Sequence, residues 1–353
     1  MNNANKRHWL TAIDLFCGSG AVSAALKRKH FRVMAAVDND PVACATYRLN
    51  HPRTRMIEND IRNVDPQEIR KLDLQNKDVD LMIVCAPCQP FSQQNRKKEY
   101  DFRSNLILES IRFALALKPR LIFFENVPGL ASTRHSHILN ELAGSLGPEF
   151  SLTKPLRIDA ADYGVPQRRL RCIIMASRGI STPKLPDPIT PKGKRVTVLQ
   201  AIGSLSRLSS GQSDPVDKLH AARNHQTIAL ERLSAVPKDG GSRTAFPDSL
   251  ALKCHKRSGN QKFSDVYGRM KWDDVAPTLT TGCTDITRGR FAHPEDDRAI
   301  TLREASLLQT FPLHYKFAGN TSEIQSQIGN AVPVRLIEIF ASTFRSALQG
   351  SGS

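Results

Sequence analysis

The chain has 353 residues, enough for about two domains and a sizeable core. At 40% hydrophobic and 24% charged it is no wholly disordered chain, and no apolar run approaches the ~18 residues of a membrane span. Fifty Lys and Arg against 34 Asp and Glu leave a net +16, which points to a polyanionic partner, with a merely solubilised surface as the alternative.

The N-terminal ten residues are polar and basic and read as no secretory signal. Seven cysteines, an odd number, suit free thiols in a reducing compartment. From Leu10 to about Arg178, short apolar runs alternate with amphipathic stretches. Ala12–Phe16, Val33–Val37, Leu81–Val84, Leu121–Phe124 and Cys172–Ala176 read as buried strands. Ala21–Lys29, Pro41–Asn50 and Ser104–Leu117 read as helices between them. This alternation predicts an α/β domain around a largely parallel sheet. Near Gly179 the texture changes. Residues 181–194 (STPKLPDPITPKGK) read as a linker or boundary, the stretch after them to about Arg290 has weak periodicity, and 181–290 as a whole carries +8 of the net charge. Leu302–Leu308 and Val334–Leu348 return to helical patterning.

The first strand runs into Gly18-Ser19-Gly20 and then a helix. Glycines there let the backbone turn sharply and approach a ligand at the strand's carboxyl end. The pattern is neither GxGxxG nor a P-loop, and a plain tight turn stays open. The second strand ends in Asp38, placed to accept from a ribose diol; Asp60, after the third apolar stretch, could accept from an adenine amino group. Nucleoside recognition without phosphate recognition suggests S-adenosylmethionine, although either Asp could be a simple strand-end or turn residue.

Another strand breaks into Pro87-Cys88-Gln89-Pro90. Two prolines stiffen the loop around Cys88, a suitable mount for a nucleophile. Cys85 and Cys88 also form CxxC. A zinc site would need a second ligand pair, which is missing, and Cys85 is expected at a buried strand end.

The PCQPFS segment after a DLFCGSG opening resembles the DNA (cytosine-5) methyltransferase family. Further blocks match in the family's order: Glu125-Asn126-Val127; Gln167, Arg169 and Arg171 in QxRxR; Arg298–Pro312; and Gly329–Pro333. Only 181–264 goes unmatched. The resemblance implies a Rossmann-like class I S-adenosylmethionine-dependent methyltransferase domain plus a smaller irregular target-recognition domain. The expected division is 1–180 catalytic, 181–320 target recognition and hinge, and 321–353 returning to the catalytic domain.

The same resemblance assigns roles. Cys88 is the nucleophile on C6 of cytosine, and Glu125, with a raised pKa, donates to N3. Arg169 and Arg171, alternating on a strand, would together hold the base and the Glu125 carboxylate. Cofactor contacts fall on Asp14, Phe16, Gly18, Gly20, Asp38, Asn39, Asp60, Ile61, Pro87, Asn330, Ala331 and Val332. DNA contacts fall on Gln89, Ser92, Arg269, Thr278, Arg288 and Arg290, the last two reading guanine or contacting phosphate. No residue identifies itself as the base that removes the C5 proton; water is the expectation.

The expected partner is double-stranded DNA, with no metal and no membrane. The expected state is a cytoplasmic monomer, with a cognate restriction endonuclease acting independently. The tRNA-methylating branch of the family and a catalytically dead DNA-binding module are the rival readings. Ser92, where that branch carries Thr, and the intact set Cys88, Glu125, Arg169 and Arg171 argue against them.

Overall fold

The computed structural model describes residues 9–87, 102–252 and 265–350, which form two compact units. The first unit comprises the described residues up to Asp159, Leu170–Asp187 and those from Val334. Its strands are β1 (Leu10–Leu15), β2 (Phe31–Asp38), β3 (Arg55–Glu58), β4 (Leu81–Val84), β5 (Leu121–Asn126), β6 (Ser151–Leu152), β7 (Leu156–Asp159) and β8 (Leu170–Ser177). They join in one sheet of order β3-β2-β1-β4-β5-β8-β6, with β7 also paired to β8. β1 to β5 run parallel, whereas β8 is antiparallel to β5, β6 and β7.

The central strands are mainly apolar because both faces of the sheet are covered, with Asp14 in β1 and Glu125 in β5 as exceptions. Helices α1 (Ala21–Arg28), α2 (Pro41–Asn50), α3 (Pro66–Leu72), α4 (Glu109–Leu117) and α5 (Ser136–Leu146) follow successive strands. Side chains alternate along β5: Ile122 and Phe124 enter a core with Phe113, Leu117, Ile138 and Leu142 of α4 and α5. Phe123 faces the other way, against Phe340 and Phe344 of the last helix (Val334–Gly350), at ring-centroid distances of 5.8 and 5.2 Å.

Sheet order places the chemistry. From β1 the chain steps to β2 on one side and later to β4 on the other. Doubly wound sheets bind ligands in the crevice at such a reversal, outside the strands' carboxyl ends. The turn after β1, Asp38 ending β2, the loop after β4, and Glu125 in β5 all lie on that edge. Because β8 is antiparallel, its first residues, Leu170 and Arg171, reach the same edge.

The second unit, Ala160–Arg169 with the described part of Pro188–Pro333, is mostly irregular. Its helices are α6 (Val198–Ile202), α7 (Thr227–Ser234), α8 (Leu302–Leu308) and α9 (Thr321–Asn330), so the last helix of the chain is α10. Capping boxes start three of them: Thr197 with Gln200, Thr301 with Glu304, and Asn320 with Glu323. Leu233, Tyr267, Ile286, Ala292 and Ala299 form a small core. Beside it Arg298 is fully buried and grips Glu304 through two bonds of 2.8 and 2.9 Å.

Several elements differ from the sequence reading. The short antiparallel β6 and β7 and the helix α9 were not anticipated, because all are polar or only a few residues long. Residues 102–108 wind as a 3-10 helix, and α4 proper starts at Glu109. The units divide at 160–169, at 187/188 and at Val334, compared with the expected 180 and 321. Among the described residues, no helix is long and apolar enough to cross a membrane.

Phe123→Ala should remove the ring that α10 packs against. A loss of ~3–5 kcal/mol in chemical denaturation is expected, and a change below ~1 kcal/mol would mean α10 does not depend on it.

Candidate active site

The turn after β1 has backbone specialisations at three alternate positions. Phe16, Gly18 and Gly20 all have positive φ, at 59°, 51° and 90°. The two glycines differ in purpose. A Cβ on Gly20 would lie 2.7 Å from the His51 ring and 2.9 Å from Tyr47, so Gly20 is dictated by packing. A Cβ on Gly18 would meet nothing within 4 Å, so that side of the turn is open for a ligand to approach the backbone.

Two carboxylates frame this turn. Asp38 accepts from the Gly18 amide at 2.8 Å and from the Asp40 amide at 3.0 Å, while Asp40 caps α2. Each Asp38 oxygen has a lone pair to spare, so acceptance from a ribose hydroxyl is compatible with the turn. Asn39 beside it is exposed. Asp14, in β1, is fully buried; its Oδ2 accepts from Ser23 Oγ at 2.7 Å, and Ser23 in turn bonds Tyr47 OH at 2.7 Å. Its other oxygen, Oδ1, is buried with no hydrogen-bond partner. Burial pushes the Asp14 carboxyl up to about 7, and burial also raises Asp38. Among the described residues neither has a cationic partner in an ion pair. An open glycine turn over unpaired carboxylates fits a cationic nucleoside such as S-adenosylmethionine.

Sequence reasoning missed the support beneath the turn. His51 bonds the Gly20 carbonyl through Nε2 at 3.0 Å and packs on Tyr47, and burial lowers it to about 4, so it is neutral. The available signal was the i, i+4 spacing of Tyr47 and His51 on α2.

Asp60 caps the short 3-10 helix at Ile61–Asn63 and grips Arg62, with bonds of 2.9 and 2.6 Å to its side chain. The Arg62 hydrogen bonds hold its carboxyl down at about 2. It therefore stays an ionised acceptor, as an adenine amino group requires. The Ile61 side chain is buried in the core.

Cys88, Gln89 and Ser92 lie outside the described residues. Their mount is described up to Pro87, which is half-buried. Cys85 bonds the Leu15 carbonyl through its amide at 3.3 Å, joining the ends of β4 and β1. Its thiol is only partly covered, yet burial first, then Glu125 and Asp14, push it well above the usual range. It is an inert neutral thiol. Asn126 donates to the Ala86 carbonyl at 3.1 Å and accepts from the Val127 amide at 2.9 Å. This ties the end of β5 to the stem of the Cys88 loop.

Glu125 and Arg171 form a pair at 2.5 Å, each side chain only 8% exposed. The pairing follows from register, since Glu125 sits opposite Ile173 on antiparallel β8 and Arg171 lies two residues before it. Arg169 does not share this role. It precedes the strand, and its guanidinium bonds the Leu279, Gly329 and Ala331 carbonyls at 3.0–3.1 Å and Gln167 Oε1 at 3.3 Å. The expectation that both arginines hold the carboxylate is corrected: strand alternation applies only within the strand, which starts at Leu170.

In the second unit Gln167 accepts from the Leu279 amide at 3.0 Å and donates to Gln309 at 3.2 Å, while Gln309 donates to the Ile328 carbonyl at 2.8 Å. Three of the matched blocks thus form one buried polar network. Asn330 is exposed at the end of α9, the Ala331 carbonyl belongs to Arg169, and Val332 is buried.

Two of the expected DNA contacts are corrected. Arg269 has no exposed side chain; it bonds the Leu233, Val236, His293 and Asp296 carbonyls and the Asp297 carboxylate. Arg290 donates to the Gly240, Gly241 and Arg269 carbonyls at 2.9–3.0 Å and to Asp265 at 3.1 Å. The Arg269 guanidinium is enclosed within the fold, whereas that of Arg290 is held through Nε and Nη1 and its side chain stays 25% exposed. Thr278 is exposed, with its hydroxyl given to the Arg168 carbonyl at 2.6 Å. Arg288 is different: its side chain is 67% exposed, with Asp285 4.0 Å away.

Comparisons with known proteins agree with this arrangement. The profile of the C-5 cytosine-specific DNA methylase family matches residues 10–345. Type II methylase M.HgiDII of Herpetosiphon aurantiacus is 39% identical, covering 96% of each chain. Type II methyltransferase M.XorII of Xanthomonas oryzae pv. oryzae is 31% identical over 96% of this chain and 85% of its own. A crystal structure of an E. coli prophage-encoded protein described as a DNA modification methyltransferase superposes with a TM-score of 0.76 at 23% identity, covering 96% of this chain and 99% of its own.

Gly18→Ala should weaken S-adenosylmethionine binding at least several-fold in titration calorimetry, because its Cβ enters the open side of the turn. Gly20→Ala should instead lower the melting temperature, through contact with His51; equal effects on both properties from both variants would contradict the distinction. Asp14 gives a pH signature. The folded protein keeps a proton there that the unfolded chain loses above its ordinary value of 3.8, so this group costs stability as pH rises from about 4 to about 7. Asp14→Asn should therefore gain on the native protein across that window, by a few kcal/mol at most, then hold level above it. A difference in melting temperature that is flat with pH would contradict the assignment.

Proposed function

Since the chain belongs to the C-5 cytosine-specific DNA methylase family, we propose that it methylates C5 of a flipped-out cytosine in a short specific double-stranded DNA sequence. We further propose that it serves as the modification partner of a restriction endonuclease that acts independently. The methyl donor is S-adenosylmethionine, which supplies an electrophilic methyl group on a sulfonium sulfur. The observation that carries the reading is the buried Glu125–Arg171 pair, on the sheet edge shared with the turn after β1 and the stem of the Cys88 loop.

Cytosine C5 is a poor nucleophile. Addition of the Cys88 thiolate to C6 forms an S–C6 bond and moves the ring electrons toward N3 and C5. Glu125 delivers a proton or a hydrogen bond to N3, so the ring need not carry a full negative charge. Arg171 fixes the carboxyl in place and leaves its second oxygen for the base. C5 would then take the methyl group as its bond to the sulfonium sulfur breaks, the electron pair of that bond staying on sulfur as a neutral thioether. Loss of the C5 proton to a base, taken here as water, expels Cys88 and restores the ring. Asn126 acts as a positioning residue, since its bond to the Ala86 carbonyl joins the Glu125 strand to the nucleophile's loop. A stacked base cannot reach any of these groups, so the cytosine leaves the duplex at a cost of a few kcal/mol.

The irregular second unit is read as the part that recognises DNA, with Arg288 its exposed arginine among the three singled out by sequence. Two other readings, RNA methylation and DNA binding without chemistry, are separated from this one by a single assay. Bisulfite sequencing of unmethylated plasmid, incubated with the protein and S-adenosylmethionine, should reveal protected cytosines within one short motif. Protection confined to RNA, or DNA binding without protection, would overturn the proposal. Cys88→Ser should abolish protection while DNA binding survives. Glu125→Gln should lower the rate by at least ~10²-fold with the fold intact, the span typical of a lost general acid.

A further inference from the structure

We propose that Gln325, on α9 and outside the segment expected to read DNA, is a positioning residue that sets target specificity by holding the loop Thr280–Arg290. The inference rests on the reading that this loop meets the bases. Its observations all lie within the second unit.

The loop has an inner and an outer side. Cys283, Thr284 and Ile286 are buried, Ile286 in the small core, whereas Thr281, Thr287 and Arg288 are exposed. Short polar contacts fix the inner side. Thr284 donates its hydroxyl to Gln325 Oε1 at 2.6 Å, and Gln325 Nε2 donates to the Thr281 carbonyl at 2.9 Å. One side-chain amide thus bridges two points of the loop three residues apart, using both its acceptor and its donor. Gly329, four residues further along α9, lets helix and loop meet: a Cβ there would lie 2.4 Å from the Thr280 carbonyl carbon. Gln325 and Gly329 therefore present one face of α9 to the loop.

The outer side is shaped by the same loop. The Arg288 stem lies over Gly282, where a Cβ would come within 2.4 Å of its Cδ and 3.2 Å of its Cβ. Asp285 is immobilised by Thr287, through its amide and hydroxyl, and by Arg223 at 3.0 Å. At 4.0 Å it biases the Arg288 guanidinium without binding it. Arg269 is enclosed and Arg290, 25% exposed, is tied to backbone carbonyls, so Arg288, 67% exposed, is the arginine this loop offers most fully outward. A bidentate arginine–guanine contact discriminates only if the guanidinium arrives in one plane and one place. Loss of the Gln325 bridge should blur that placement without touching the chemistry.

The test is methylation of a duplex pool with randomised sequence, read by bisulfite sequencing as the rate ratio between the preferred site and sites differing by one base pair. Arg288→Ala should reduce that ratio by ~10–100-fold at one position. Gln325→Ala and Thr284→Val should reduce it at the same position by about tenfold, while kcat on the preferred site at saturating DNA changes by less than about threefold. Thr284→Ser, which keeps the hydroxyl, should restore it. Gly282→Ala should mimic Arg288→Ala, because it displaces the stem.

Adding Gln325→Ala to Arg288→Ala should cause no further loss; an additive loss would overturn the positioning role. If Arg288→Ala loses discrimination while Gln325→Ala and Thr284→Val keep it, the role of Gln325 is wrong and the reading of the loop stands. If Arg288→Ala instead weakens all sequences uniformly, with a shallower salt dependence, Arg288 contacts phosphate; the reading of the loop then fails, and the role of Gln325 with it.

Discussion

A run of parallel strands puts all its carboxyl ends along one edge, and the catalytic unit depends on that constraint. Five parallel strands deliver the turn after β1, Asp38, the Cys88 loop stem and Glu125 to the same side of the sheet. The reversal of strand order at β1 opens the crevice between the first and third of these. The antiparallel β8 contributes the opposite end of a strand, its beginning, to the same edge. This lets Arg171 meet Glu125 side by side without a long loop to carry it. Backbone bonds hold the edge together: Cys85 to Leu15 and Cys17 to Val37 extend the ladders past the strands' formal ends. Sheet hydrogen bonding thus places Glu125 and Arg171 against each other.

The electrostatics of that edge divide into two regimes. Glu125 is buried with a guanidinium against it, so its carboxylate is compensated in place. Asp14, buried, and Asp38, half-buried, have only hydroxyl and amide donors among the described residues, and burial raises both. Hydroxyl and amide donors only partly offset the desolvation of a carboxylate. Burial first, and then these two carboxylates, push up the Cys17 thiol, and among the described residues neither carboxylate has a cation in an ion pair. A cationic cofactor would supply the charge that this turn lacks.

Much of this was legible from sequence where one residue's type and its local neighbours determine the outcome. Gly18 and Gly20 after an apolar run, Asp38 at the end of the next, and the paired prolines around Cys88 are local statements, and the five strands read from sequence lie within a few residues of β1, β2, β4, β5 and β8. The failures share a physical cause. Arg169 and Arg171 look equivalent by strand alternation, but the strand begins between them, and each finds partners 46 to 162 positions away in sequence. Arg269 and Arg290 look like surface cations in a basic segment, yet both are consumed by carbonyl groups that no periodicity announces. Gln325 and His51 carry no motif at all. What they do depends on which loop the fold brings within 3 Å.

The arginines explain how the second unit exists with so little regular structure. A chain that buries irregular backbone leaves carbonyls without ladder partners, and each must be satisfied. Arg169, Arg269, Arg290 and Arg298 together donate to carbonyls of Leu279, Gly329, Ala331, Leu233, Val236, His293, Asp296, Gly240, Gly241, Leu208 and Ala299, among others. A guanidinium has five donors in a rigid plane, so one side chain can replace several turns' worth of backbone pairing. Net charge is therefore a poor map of the DNA surface here, because a good part of the +16 serves as internal scaffolding. A cation becomes available to DNA where the backbone around it is already satisfied. Arg288 meets that condition: its loop is closed by its own turns and by Gln325, which needs no charge to do so.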